Sequence, residues 1–148
     1  MGDLERMLIE SACERLVTQY CHFVDHGEAE RVAELFEDDG VWASPENTMT
    51  GVAKIRAGFR QRQDNIARMS RHVCCNLLID VVDADHASGT VYLTLYRHDG
   101  EPTRRTSPSA APAIVGEYRD QFVRTSGGWR FARREIAVSF VAPQERRT

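Results

Sequence analysis

Apolar residues recur at every fourth position over the opening stretch: Leu4, Leu8, Ala12, Leu16, Tyr20 and Val24, with Met7, Cys13, Val17 and Phe23 widening the stripe. That spacing predicts an amphipathic helix of about 20 residues with one buried face. It stops near His26-Gly27, where glycine suits the left-handed residue that ends a helix. Glu28 to Asp38 predicts a second helix, with Ala29, Val32, Leu35 and Phe36 on one side, followed by a turn at Asp38-Asp39-Gly40. Val41-Trp42-Ala43 reads as a short strand and Ser44 to Thr50 as a polar loop. A third helix begins at Thr50-Gly51 and carries Val52, Ile55, Phe59 and Ile66.

From Arg71 onward the rhythm changes. Arg71 to Val82, Ala87 to Arg97, Ala113 to Thr125 and Gly128 to Val141 are rich in β-branched and aromatic residues and separated by turn signals. Consecutive strands joined this way predict an antiparallel meander. The segment from Asp99 to Pro112, with Pro102 and Pro108, is a long hairpin loop. Helices followed by strands give an α+β domain with the helices packed on one face of a sheet. Strands of about 11–14 residues exceed the usual length, so the sheet should twist and curl, leaving a concave interior that is the natural pocket.

Composition narrows the function without naming it. The 148 residues suit one domain spanning the whole chain, and a net charge of −3 with interspersed signs gives no basic face for nucleic acid. Arg104-Arg105 and Arg146-Arg147 read as solvated surface charge. No apolar run approaches the roughly 18 residues of a membrane span, and the N-terminus lacks the basic-then-apolar pattern of a secretory signal, so the cytosol is expected. Cys13, Cys21, Cys74 and Cys75 show no CxxC spacing, which points to reduced thiols and away from a metal site or a disulfide framework. No phosphate loop or dinucleotide fingerprint is present, so no cofactor is expected.

The candidate chemistry lies in a separated pair. Asp25 ends the first helix and His72 opens the first long strand. A carboxylate that orients an imidazole makes a general base for a weakly acidic C–H proton near neutral pH. Asp25 is disfavoured in isolation at a helix C-terminus, where the dipole is negative, so a partner is expected for it. Strand alternation puts Cys74 and Asn76 on the same face as His72, and Tyr92 and Tyr96 together on theirs. Asn76 and the two tyrosines are therefore candidate substrate contacts, as is Arg133, which shares parity with Trp129, Phe131 and Glu135. Trp42 and Phe59 would supply apolar walls. Glu117 and Asp120 are acidic strand residues for which a surface position is expected.

Ordered pieces of the chain carry a resemblance. They are the first helix with Tyr20 and Asp25, Leu35-Phe36-Glu37-Asp38-Asp39-Gly40-Val41-Trp42, Gly51 with Ile55, Arg71-His72 with Asn76, Gly116-Glu117-Tyr118, and Gly127-Gly128-Trp129-Arg130-Phe131-Ala132 with Arg134. In this order the chain resembles the SnoaL-like branch of the nuclear-transport-factor-2-like superfamily. The resemblance implies a cone-shaped, curved antiparallel sheet closed by three N-terminal helices. Asp25 and His72 resemble the Asp–His dyad of the scytalone dehydratase-type and hexachlorocyclohexane dehydrochlorinase-type members, in which the His removes a proton and the Asp orients it. Arg133 falls where the dehydrochlorinase-type members carry a pocket arginine, and Tyr20 stands where they have a lysine. The implied activity is a cofactor-free lyase or isomerase acting on a hydrophobic, aromatic or polyketide-like small molecule, in a homodimer or homotrimer. A non-catalytic binding or assembly domain, and a hydrolase or cyclase using the same dyad, remain the alternatives.

Overall fold

The helical stripe becomes α1 (Asp3–Asp25) in the computed structural model of the chain, which describes residues 1–103 and 105–143. Arg104, Arg146 and Arg147 lie outside the described residues. The buried face of α1 runs from Ile9 through Cys13, Leu16, Val17, Tyr20 and Cys21 to Val24. Leu4, Met7 and Leu8 stay exposed, so the core-facing stripe starts later than the spacing alone suggests. The helix ends as expected at Gly27, whose φ of +81° lies in the left-handed region that glycine enters without steric cost.

The second helix is shorter and tighter than expected. Ala29–Leu35 forms a 3₁₀ helix, and Phe36 already opens strand β1 (Phe36–Ala43). Helical continuation to Asp38 would lose the sheet pairing of Phe36 with Phe131, whose rings lie 5.2 Å apart. The expected polar loop contains a short strand, β2 (Thr48–Thr50), folded back on β1 by a turn in which Ser44 Oγ accepts the Asn47 N–H. Helix α2 (Val52–Asp64) then buries Ile55 and Phe59.

Four long strands follow: β3 (Arg68–Val81), β4 (His86–Asp99), β5 (Ile114–Thr125) and β6 (Gly128–Val141). Among the described residues the sheet has six strands in the order β2-β1-β6-β5-β4-β3, curved and not closed into a barrel. β3 to β6 form the antiparallel meander that the turn signals predict. The sheet as a whole is mixed, however, because β1 pairs parallel to β6. Leu16, Val17 and Tyr20 of α1 share one core with Val91, Leu93, Tyr118, Phe122 and Phe131 of the sheet. No helix of the described residues is long and apolar enough to cross a membrane.

Two β-bulges decide which side chains face that core. In β3, Cys75 pairs with Tyr92 and Leu78 with Thr90, so β3 takes three steps against two in β4. Asn76 sits at this irregularity with φ +51°. Ser70, His72 and Cys74 face inward before the bulge, while Leu77, Ile79 and Val81 do so after it. In β6, Phe131 pairs with Phe122 and Arg133 with Gln121, which leaves Ala132 as the extra residue. An inserted residue reverses the alternation beyond it. Asn76→Gly should leave stability unchanged or slightly higher, whereas Asn76→Val should lose about 1–2 kcal/mol, since a β-branched residue resists the left-handed region. Urea denaturation of the two variants measures this; equal stability of both would show that the bulge geometry is not maintained.

Candidate active site

Asp25, the last residue of α1, meets β3 side-on. Its Oδ1 lies 2.6 Å from His72 Nδ1 and accepts the Ser70 hydroxyl at 2.7 Å, and its Oδ2 accepts the His72 backbone N–H at 2.7 Å. Ser70 Oγ in turn accepts from Arg62 Nη2 at 3.0 Å. The side chains of His72 and Asp25 keep only 10% and 5% of their exposure, so the contact is shielded from bulk water. Burial raises the Asp25 carboxyl, but the hydrogen bonds and charge of His72, with the Ser70 hydroxyl, bring it below the ordinary carboxylate value. Asp25 is therefore ionised across the neutral range and accepts the Nδ1 proton, which leaves Nε2 as the basic nitrogen.

His72 lines a cavity of about 630 Å³. Tyr20, Trp42, Phe59, Leu95, Tyr118 and Ile136 form its apolar side, and Arg62, Arg68, Ser70 and Arg97 lie on its polar side. Trp42 Nε1 donates to the Tyr20 hydroxyl at 3.0 Å, and Phe59 meets both rings edge-on at 5.8 Å. Burial pushes the Tyr20 phenol up to about 12 and the Tyr118 phenol well above its usual value, so both remain protonated donors. The Pro-rich segment between β4 and β5 contributes none of its described residues to this lining.

Behind the phenols lies a buried cation. Arg134 is fully buried, donates to both carboxylate oxygens of Asp120 at 3.0 and 3.2 Å, and stacks over Tyr118 at 3.7 Å and Tyr20 at 4.4 Å. The Asp120 carboxylate keeps the guanidinium charged against the cost of burial. Two thiols complete this layer, with Cys21 Sγ 3.5 Å from Cys74 Sγ; their hydrogen bond pushes Cys21 up and Cys74 down.

Several sequence expectations change place. Asn76 is exposed because the bulge turns it off the His72 face. Tyr92 is 51% exposed and Tyr96 shares its outward parity, since Val91, Leu93 and Leu95 take the inner face of β4. Arg133 points outward and pairs with Glu135 at 3.0 Å, because the extra residue at Ala132 hands the inward position to Arg134. Asp120, expected at the surface, is 2% exposed. Tyr20, Trp42 and Phe59 do line the cavity. Sequence reasoning passed over Ser70, Arg62 and Tyr118 as site residues. Ser70 and Tyr118 carry a readable signal, inward parity with His72 and with Gly116, but β3 begins at Arg68 and not at Arg71.

A sheltered carboxylate–imidazole pair thus stands at the wall of a cavity lined by both apolar and polar side chains. The chain belongs to the SnoaL-like domain family, whose model matches residues 5–135. Among characterised relatives it is similar to the γ-hexachlorocyclohexane dehydrochlorinase of Sphingobium indicum, at 24% identity over 97% of this chain and 88% of that protein. A crystal structure of a candidate scytalone dehydratase from Novosphingobium aromaticivorans superposes with a TM-score of 0.80 at 22% identity, covering 95% of this chain and 91% of that one. The crystal structure of LinA gives a TM-score of 0.80 at 22% identity, covering 97% and 94%. A cystatin-like fold protein of unknown function from Nostoc punctiforme shares the architecture, with a TM-score of 0.75 at 24% identity over 93% of this chain and 96% of that one.

Arg134 and Asp120 make the sharpest stability test of this layer. Arg134→Met alone strands a buried carboxylate and should cost about 3–5 kcal/mol, and pairing it with Asp120→Leu should recover much of that loss. Urea unfolding of the single and double variants decides it. A double variant no more stable than the single one would mean that the charge pair is not what the pocket wall requires.

Proposed function

We propose that this chain is a lyase or isomerase of the dehydratase type, working without a cofactor on a hydrophobic small molecule held in a cone-like chamber beneath the helices. The observation that carries the reading is the 2.6 Å contact of Asp25 Oδ1 with His72 Nδ1 at the cavity wall. His72 Nε2 takes a proton from an acidic carbon of the substrate, and Asp25 stabilises the imidazolium that forms. The Tyr20 and Tyr118 phenols face the same cavity as donors for the oxygen on which negative charge develops. Trp42 supports this role, because its indole N–H occupies a lone pair of the Tyr20 oxygen and leaves the phenolic proton to donate. In an elimination the leaving group departs from the adjacent carbon and the imidazolium proton can follow it. In an isomerisation the same proton returns at a second carbon.

Proton abstraction can be observed before the natural substrate is known. In D₂O, wild-type protein should catalyse exchange of the acidic C–H of hydrophobic enolisable ketones, followed by proton NMR. His72→Ala and Asp25→Asn should each slow that exchange by about a hundredfold or more while keeping the native circular dichroism spectrum. Exchange at the wild-type rate in both folded variants would assign the dyad a structural role and favour a binding domain.

A further inference from the structure

The hydrogen-bonded chain of the dyad does not end at Asp25. Ser70, buried on the inner face of β3 at 3% exposure, joins it to a cation from the last turn of α2. The Ser70 hydroxyl oxygen accepts from Arg62 Nη2 at 3.0 Å and lies 2.7 Å from Asp25 Oδ1. A guanidinium has donors and no acceptor, and a serine hydroxyl has a single proton. With Arg62 on a lone pair of Ser70, that proton goes to the Asp25 carboxylate.

Oδ1 is the same oxygen that faces His72 Nδ1, at 2.6 Å. Two donors on one oxygen compete for its charge. When the ring gains a proton, its own bond to Oδ1 strengthens and the Ser70 bond weakens. A donor on the carboxylate therefore favours the neutral ring. The Arg62 charge works in the same direction, because the dyad is an anion with a neutral ring and has no net charge with an imidazolium. Burial and the nearby Arg68 push the Arg62 guanidinium down, while the Asp25 and Asp99 carboxylates act against them, so Arg62 and the dyad feel each other's charge. Asp25 does not need Ser70 to keep its place. Its Oδ2 takes the His72 backbone N–H at 2.7 Å, so the ring and main chain of one residue grip both oxygens.

The other charged and titratable groups around the pair are engaged in different contacts. On β3, Arg71 donates to the Ser70 and Asp25 main-chain carbonyls, and Cys74 meets Cys21 of α1. Arg68 donates to both oxygens of Asp99 on β4, at 2.7 and 2.8 Å. Arg97 of β4 and Glu46 of the β1–β2 hairpin line the cavity. Tyr20 meets the His72 ring edge-on at 6.2 Å, with Tyr118 of β5 packed on its own ring. Asp120 and Arg134 neutralise each other behind those phenols.

We propose that Ser70 and Arg62 act on His72 through Asp25, as positioning residues that weaken the hold of the carboxylate on the imidazolium. A sheltered carboxylate bonded to an imidazole alone keeps the ring protonated to higher pH, and a protonated ring is no base. Drawing part of the Asp25 charge away frees the Nε2 lone pair at lower pH. The catalytic meaning of this coupling rests on the general-base reading above, but the coupling itself belongs to the four side chains.

The test is the titration of the His72 ring, followed by proton NMR on the signal that is missing from His72→Ala. Ser70→Ala should raise its midpoint by about half a pH unit or more. Arg62→Met, which removes donor and charge together, should raise it as well. Arg62→Lys keeps both and should return it to near the wild-type value. Asp25→Asn should move the midpoint the opposite way, because the anion itself is gone. In D₂O, the acid limb of the pH profile for ketone exchange should move up in Ser70→Ala by the same interval as the midpoint. A midpoint that falls or stays put in Ser70→Ala or in Arg62→Met would overturn the coupling and leave Ser70 a structural support for the carboxylate. Should Ser70→Ala not fold, the two Arg62 variants carry the same test of sign. Raised midpoints with no exchange by wild type would uphold the coupling and retire the catalytic reading. Exchange by wild type with unmoved midpoints would do the reverse.

Discussion

A carboxylate at the C-terminal end of a helix faces the negative end of the helix dipole and, once shielded from water, must be given donors. Asp25 receives them all from β3: the His72 backbone N–H, the His72 ring and the Ser70 hydroxyl. That joint pins the end of α1 against the inner face of β3. It also fixes the imidazole tautomer, since a carboxylate on Nδ1 leaves the proton there and the lone pair on Nε2. The same three bonds therefore serve both the packing of α1 on β3 and the orientation of the imidazole.

The rest of the cavity is organised around where charge can be afforded. Arg134 is sealed behind Tyr20 and Tyr118 with Asp120 as its counter-charge, a dry ion pair that shapes the aromatic wall. Burial keeps those phenols protonated, which suits them to donate to an oxyanion. Arg62, Arg68 and Arg97 line the same cavity.

Much of the fold was legible in the sequence because its long strands and first helix carry strong periodicity. Asp25 and His72 were legible for a different reason: each sits at an element boundary where its residue type needs a partner. What periodicity could not show was where an alternation breaks. The bulge at Asn76 and the extra residue at Ala132 each reverse strand parity, and no local residue pattern announces them. That single physical cause turned Asn76 and Arg133 outward and hid Arg134. Tyr92 and Tyr96 point outward for a simpler reason, since the apolar alternation of Val91, Leu93 and Leu95 marks the opposite face of β4 as the buried one. Ser70 and Arg62 escaped because the start of β3 and the reach of an arginine from α2 are tertiary facts.

The central claim is that Asp25 holds the Nδ1 proton of His72 and leaves Nε2 basic. Nitrogen-15 NMR of the imidazole ring, recorded across the neutral range in wild type and in Asp25→Asn, tests it directly. The account predicts that the neutral ring of wild type carries its proton on Nδ1 and leaves Nε2 unprotonated, with that tautomer preference lost in Asp25→Asn. A wild-type ring that carries its proton on Nε2, or a tautomer indifferent to the substitution, would contradict it.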